Sequence, residues 1–76
     1  MTKNEFKDRL GRSIKSIRKE KGISLREFED RSDYKIDRHL LSKIENGKVS
    51  PELYTIFRIC KILDTDLIHV IQRMDL

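Results

Sequence analysis

The sequence predicts an all-α fold of five helices, and three observations carry that prediction. Apolar residues recur every three or four positions in several separate segments, the spacing of one helix face. Residues suited to a helix N-terminus precede most of these segments, most clearly Ser24, Asp37, Ser50-Pro51 and Asp64-Thr65-Asp66. A length of 76 residues gives room for one domain, residues 1–76, with a modest core, and none for a catalytic domain beside a regulator.

Each element has its own warrant. From Asn4 to Lys21, Phe6, Leu10, Ile14 and Ile17 form an amphipathic stripe with Lys and Arg between them, and Gly22 stops the helix. Ser24 directly precedes Leu25, and Glu27 follows three residues on, a capping box that opens a second helix with Leu25 and Phe28 on one face. The polar run Asp30 to Lys35 ends it. Asp37 then caps a third helix whose inward stripe is Leu40, Leu41 and Ile44, and Gly47 is free to take the left-handed conformation that closes it. Ser50-Pro51-Glu52 supplies an N-cap hydroxyl, a proline at the first helical position and an acid at the positive end of the dipole. The helix it opens is expected to build the core from Leu53, Ile56, Phe57, Cys60 and Leu63, with Cys60 a small buried hydrophobe. A last helix carries Leu67, Val70, Ile71 and Met74. Tyr54 and Ile59 fall off the main stripe and, with Ile68 or Met74, are the expected dimer surface.

The outward positions of the third helix are Arg38, His39, Ser42 and Lys43, all hydrogen-bond donors, a face that suits base edges and phosphates. The stretch Ile23 to Pro51 therefore reads as a helix-turn-helix whose second helix is expected in the DNA major groove. Its segment LSKIENGKVSP, Leu41 to Pro51, closely resembles the signature of the Cro and phage-repressor type helix-turn-helix family, the XRE family. Arg18 to Ser24 before it and Pro51-Glu52-Leu53 after it fit the same pattern, so the resemblance runs from about Leu10 to Ile71.

The resemblance implies a compact five-helix, lambda-repressor-like domain that binds double-stranded DNA in a sequence-specific manner. Carried over position by position, the base-contacting residues fall on Arg38, His39 and Lys43, with Ser42 beside them. Asn46, Gly47 and Lys48 fall where the family grips the sugar-phosphate backbone through side chains and main-chain N–H groups, and Ser24 and Lys35 complete the expected phosphate set. The resemblance also pairs Arg18 with Glu45, holding the first helix against the third. Arg38 is expected to read guanine O6 and N7 in each half of a pseudo-palindromic operator bound by a homodimer. Small family members include repressors, restriction-modification controllers and antitoxins partnered by a toxin. The rival reading is a protein-interaction module that keeps the fold without specific DNA binding.

Four features depart from the family pattern. The break from Arg31 to Ile36 is about two residues longer than the usual turn of three or four. Ser32-Asp33-Tyr34-Lys35 replaces the customary glycine, Glu29 stands where a small residue lets the helices approach, and Leu25 replaces a phosphate-contacting glutamine. Tyr34 is read as a lid over the enlarged turn, with a phosphate and sugar contact as the alternative.

Composition bounds the remaining classes. Lys and Arg outnumber Asp and Glu by 17 to 13, a net charge of +4 that permits a polyanion partner. A lone Cys60 excludes an internal disulfide and fits a reducing, cytoplasmic setting. No apolar run is long enough to span a bilayer, and MTKNEFKDRL lacks a signal-peptide core. His39, His69 and Cys60 show no metal-ligand spacing, and neither a phosphate loop nor a nucleophile elbow is present. The expectation is no enzyme and no cofactor.

Overall fold

The computed structural model describes all 76 residues and contains five α-helices: α1 (Lys3–Glu20), α2 (Leu25–Arg31), α3 (Arg38–Glu45), α4 (Leu53–Ile62) and α5 (Leu67–Arg73). Caps fix where they begin. Thr2, Ser24, Asp37 and Asp66 each accept the backbone N–H three residues ahead, and Ser24 with Glu27 closes a reciprocal capping box. The ends of α1 to α4 share one device. After α1, Gly22 donates to Lys19 O and Ile23 to Arg18 O; after α3, Gly47 donates to Ile44 O and Lys48 to Lys43 O. These paired bonds are Schellman motifs, with Gly22 and Gly47 left-handed at φ of 70° and 71°. After α2 and α4 the same motif is built on Asp33 and Asp64, non-glycine residues at φ of 58° and 54°.

The long α1 is the backbone of the packing. It lies against α3 on one side and α5 on another, while α2 packs on α3 and α4 packs on α5. Leu10, Ile14 and Ile17 of α1 meet Phe28, Ile36, Leu41, Ile44, Ile59, Leu63, Val70 and Met74 in one buried cluster. Polar stitches fasten α5 to α1. The Ser13 hydroxyl donates to Val70 O at 2.7 Å in a buried position, and Arg73 donates to Ser16 Oγ at 2.8 Å while pairing with Glu20. No helix is long and apolar enough to cross a membrane.

Several sequence expectations change. Ser50 does not cap α4: the helix starts at Leu53, Glu52 is its N-cap, and no side chain completes the cap. The first helical bond, Ile56 N–H to Glu52 O, fixes the N-cap two residues beyond Ser50. Leu40 is 38% exposed, because α3 turns Leu41, Ile44 and Glu45 toward α1. Phe6 is also largely exposed. The expected stripe of α4 is rotated: Ile59 is fully buried with Ile56, Cys60 and Leu63, while Leu53 and Phe57 face outward. On α5, Val70 and Met74 are buried and Leu67 and Ile71 are not, so neither Ile59 nor Met74 is available as dimer surface. Ile36, placed in the polar break by sequence, is a core residue.

Gly11 sets how closely α1 approaches α3. A Cβ built there would lie 2.3 Å from Ile44 O and 2.6 Å from Glu45 O, both backbone atoms that cannot swing away. Replacing glycine by alanine inside a helix ordinarily stabilises by up to about 1 kcal/mol. Here the sign reverses: Gly11→Ala should destabilise the fold by roughly 2 kcal/mol, because the helices must separate to admit the methyl. Urea denaturation of the two proteins checks this, and an unchanged or higher midpoint for the variant contradicts it.

Candidate nucleic-acid interface

The position of α3 rests on one buried ion pair. Arg18 donates from Nε to Glu45 Oε2 at 2.7 Å and from Nη2 to Glu45 Oε1 at 2.9 Å, and its Nη1 donates to Ile23 O at 2.8 Å. Both side chains are almost fully buried. The fork therefore ties three places together: α1, the C-terminal end of α3, and the loop entering α2. The geometry is bidentate, and no buried side-chain nitrogen or oxygen in the protein lacks a hydrogen-bond partner.

The lengthened turn between α2 and α3 is organised from inside by Ser32. Its buried hydroxyl lies 2.8 Å from Glu29 O and 3.0 Å from Ile36 O, either of which can take its proton, and it accepts from Ile36 N–H at 3.2 Å. Asp33 fills the place of the missing glycine, and Tyr34 follows it in the left-handed region at φ of 61°. A non-glycine residue there costs roughly 1–2 kcal/mol, somewhat less for aspartate. The burial of Ile36 offsets that cost. Tyr34 does not form a lid; it is 71% exposed. The nearby Asp30 carboxylate favours the protonated phenol and raises it above its usual pKa.

The outward face of α3 carries the four residues singled out by sequence. His39 and Lys43 are exposed one turn apart, and Arg38 and Ser42 are half-buried beside them. Asn46 is exposed, but its Nδ2 folds back to donate to Ser42 O at 2.9 Å and lies 3.3 Å from Ser42 Oγ. The main-chain N–H groups of Asn46, Gly47 and Lys48 all bond to carbonyls of α3, so contacts from this loop fall to side chains, chiefly that of exposed Lys48. Gly47 is hemmed in as well, since a Cβ there would lie 2.5 Å from Asp8 Oδ1. Ser24 is exposed at the start of α2 with its Oγ accepting from Glu27 N–H, and Lys35 projects from the turn.

Three residues of this region have roles that the sequence does not announce. Gly11 gives no signal in a helix-forming stretch, and Ser32 reads as one more polar turn residue. Glu29 stands out only for its size. Its Oε2 accepts the Arg38 N–H at 3.0 Å, and its Oε1 lies 3.5 Å from Arg38 Nε. The glutamate thus caps the first turn of α3 from α2, in addition to Asp37, which accepts Leu40 N–H at 2.7 Å.

Residues 14–70 match the model of the family described as helix-turn-helix, three-quarters of the chain and all of the α2–turn–α3 unit. The chain belongs to the helix-turn-helix family. Among solved structures, this helix-turn-helix protein is similar to the crystal structure of the clp gene regulator ClgR from C. glutamicum, with a TM-score of 0.84 and 25% sequence identity. The likeness covers 91% of this chain and 86% of that one. No curated protein matches the sequence. The helix-turn-helix unit has no group of three or more His, Cys, Asp or Glu side chains placed to hold a metal ion, and neither does the rest of the chain.

Because the Arg18–Glu45 pair is buried, breaking it one side at a time should cost more than removing it whole. Arg18→Ala is expected to lose about 3–5 kcal/mol of stability, since it strands the Glu45 charge, whereas Arg18→Met/Glu45→Leu should recover much of that loss. Thermal and urea unfolding of the three proteins decides it; equal losses in both variants would contradict the expectation.

Proposed function

We propose that residues 1–76 act as one sequence-specific, double-stranded DNA-binding unit of a transcriptional regulator, with α3 in the major groove. The observation that carries this reading is the outward face of α3. Four donor side chains, Arg38, His39, Ser42 and Lys43, project from a helix whose other face is fixed to α1 by the Arg18–Glu45 fork. Such rigidity is what base reading needs, because direct readout fails if the donors are not held at the groove floor. Family membership supports the reading, as does the likeness to a solved gene regulator. Arg38 and Lys43 would donate to guanine O6 and N7, with His39 and Ser42 beside them. Ser24, Lys35, Asn46 and Lys48 would contact the sugar-phosphate backbone through their side chains without reading sequence, while Gly47, whose N–H is already bonded to Ile44 O, would shape the loop that presents them. The reading is non-enzymatic and covers repressor, restriction-modification controller and toxin-partnered antitoxin types.

A second copy of this chain would complete the site. Leu53 and Phe57 of α4 and Leu67 of α5 line one groove, and Tyr54, Ile68 and Ile71 on the same two helices are also exposed, Leu53 at 68% and Ile68 at 67%. Lys61 and Asp66 flank the groove there, opposite charges that a two-fold interface can set against one another. Two α3 helices roughly 34 Å apart would then meet successive major grooves of a pseudo-palindrome.

Selection from a random duplex pool at moderate salt, on wild type and on Arg38→Ala/Lys43→Ala, tests the DNA reading. A two-fold symmetric motif with a guanine in each half is expected, relaxed or lost in the double variant, with affinity falling steeply as salt rises. A pool that yields no motif, or binding through a salt-insensitive apolar surface, would instead favour a protein-interaction module. For the dimer, Phe57→Asp/Ile68→Asp should weaken self-association at least about tenfold by sedimentation equilibrium. An unchanged monomer–dimer equilibrium would remove α4 and α5 as the interface.

A further inference from the structure

We propose that Glu29 is a positioning residue that sets the base specificity of Arg38, a role that rests on the DNA-binding reading above. The first turn of α3 is already capped by Asp37 through Leu40 N–H. Glu29 reaches the same turn from α2, and its two oxygens do different things. One accepts the Arg38 N–H at 3.0 Å and the other faces Arg38 Nε at 3.5 Å. The carboxylate is held firmly, its side chain only 13% exposed, while the Arg38 side chain is 43% exposed and can still reach a partner outside the fold.

Two consequences follow from the chemistry of a guanidinium. With Nε facing Glu29, Nη1 and Nη2 are left as the outward pair, the two donors that match guanine O6 and N7 end-on. An arginine side chain has large rotamer freedom, and a carboxylate at its base restricts that freedom before any DNA arrives. The second consequence is electrostatic. A neighbouring negative charge lowers the attraction of Arg38 for phosphate, the sequence-independent part of binding, and leaves the base contact as its favoured use. Glu29 therefore trades total affinity for discrimination.

That trade has a signature that a plain helix cap lacks. Glu29→Gln keeps an oxygen to accept the Arg38 N–H, removes the charge, and sets an amide NH2 in place of an acceptor opposite Arg38 Nε. Dissociation constants are measured for a duplex selected by wild type, for the same duplex with the guanine read by Arg38 replaced, and for an unrelated duplex. The proteins are wild type, Glu29→Gln, Arg38→Ala and the double variant. Glu29→Gln is expected to bind the unrelated duplex roughly two- to fivefold more tightly, and its preference for the guanine should fall by roughly fivefold or more. In the Arg38→Ala background the same substitution should leave the preference unchanged. If Glu29→Gln melts well below wild type, Glu29→Ala, the small residue usual in the family, carries the same measurements. A guanine preference that stays equal or rises in a folded Glu29 variant overturns the proposal while the DNA reading stands. If wild type selects no motif at all, both fall together.

Discussion

The buried Arg18–Glu45 pair is the interaction on which the rest of the structure depends. Placing two charges almost out of water is costly, and a single hydrogen bond would not offset it. Here the guanidinium gives two bonds to the carboxylate and a third to Ile23 O, so every polar atom of the pair has a role. An ion pair of this kind adds little net stability over a well-packed apolar pair; its use is specificity. Its three hydrogen bonds tie α1, the entry to α2 and the end of α3 to one another. Gly11 works with it, removing the side chain that would hold the two backbones apart.

Around that fixed point, the turn leading into α3 is the most irregular stretch of backbone. The turn after α2 places two consecutive residues, Asp33 and Tyr34, in the left-handed region, a costly choice that brings Ile36 down into the core and Asp37 to the head of α3. Ser32 supplies from its hydroxyl the hydrogen bonds that the extra chain would otherwise lack. The same geometry carries Glu29 to Arg38. A longer turn and a larger residue at Glu29 occur together here, and the carboxylate bonds the first turn of α3.

Much of the chain is legible in its residues alone. Thr2 aside, the caps at Ser24, Asp37 and Asp66 and the stops at Gly22 and Gly47 lie where short-range chemistry puts them, since a cap needs only its own helix. The pairing of Arg18 with Glu45 is legible only through likeness to a family, because nothing in the spacing of two residues 27 apart indicates that they touch. The four outward donors of α3 are visible as a face. The hold of Glu29 on one of them is not, because it depends on how two helices cross.

The sequence by itself determined the five helices and most of their ends, the core residues Leu10, Ile14 and Ile17 of α1 though not the exposure of Phe6, and the donor face of α3. These follow from local hydrogen bonding and from stripes that have only one apolar side. The tertiary structure alone decided which side of α4 and α5 is inside. LYTIFRICKI is apolar at Leu53, Phe57, Ile56, Ile59 and Cys60, on nearly every side of the helix, so periodicity supports two registers about equally. Packing against α5 and the common core selects Ile56, Ile59 and Cys60, and it leaves Leu53 and Phe57 in water. The helix period can show that a face is apolar, but only the neighbours that cover a face decide that it is buried.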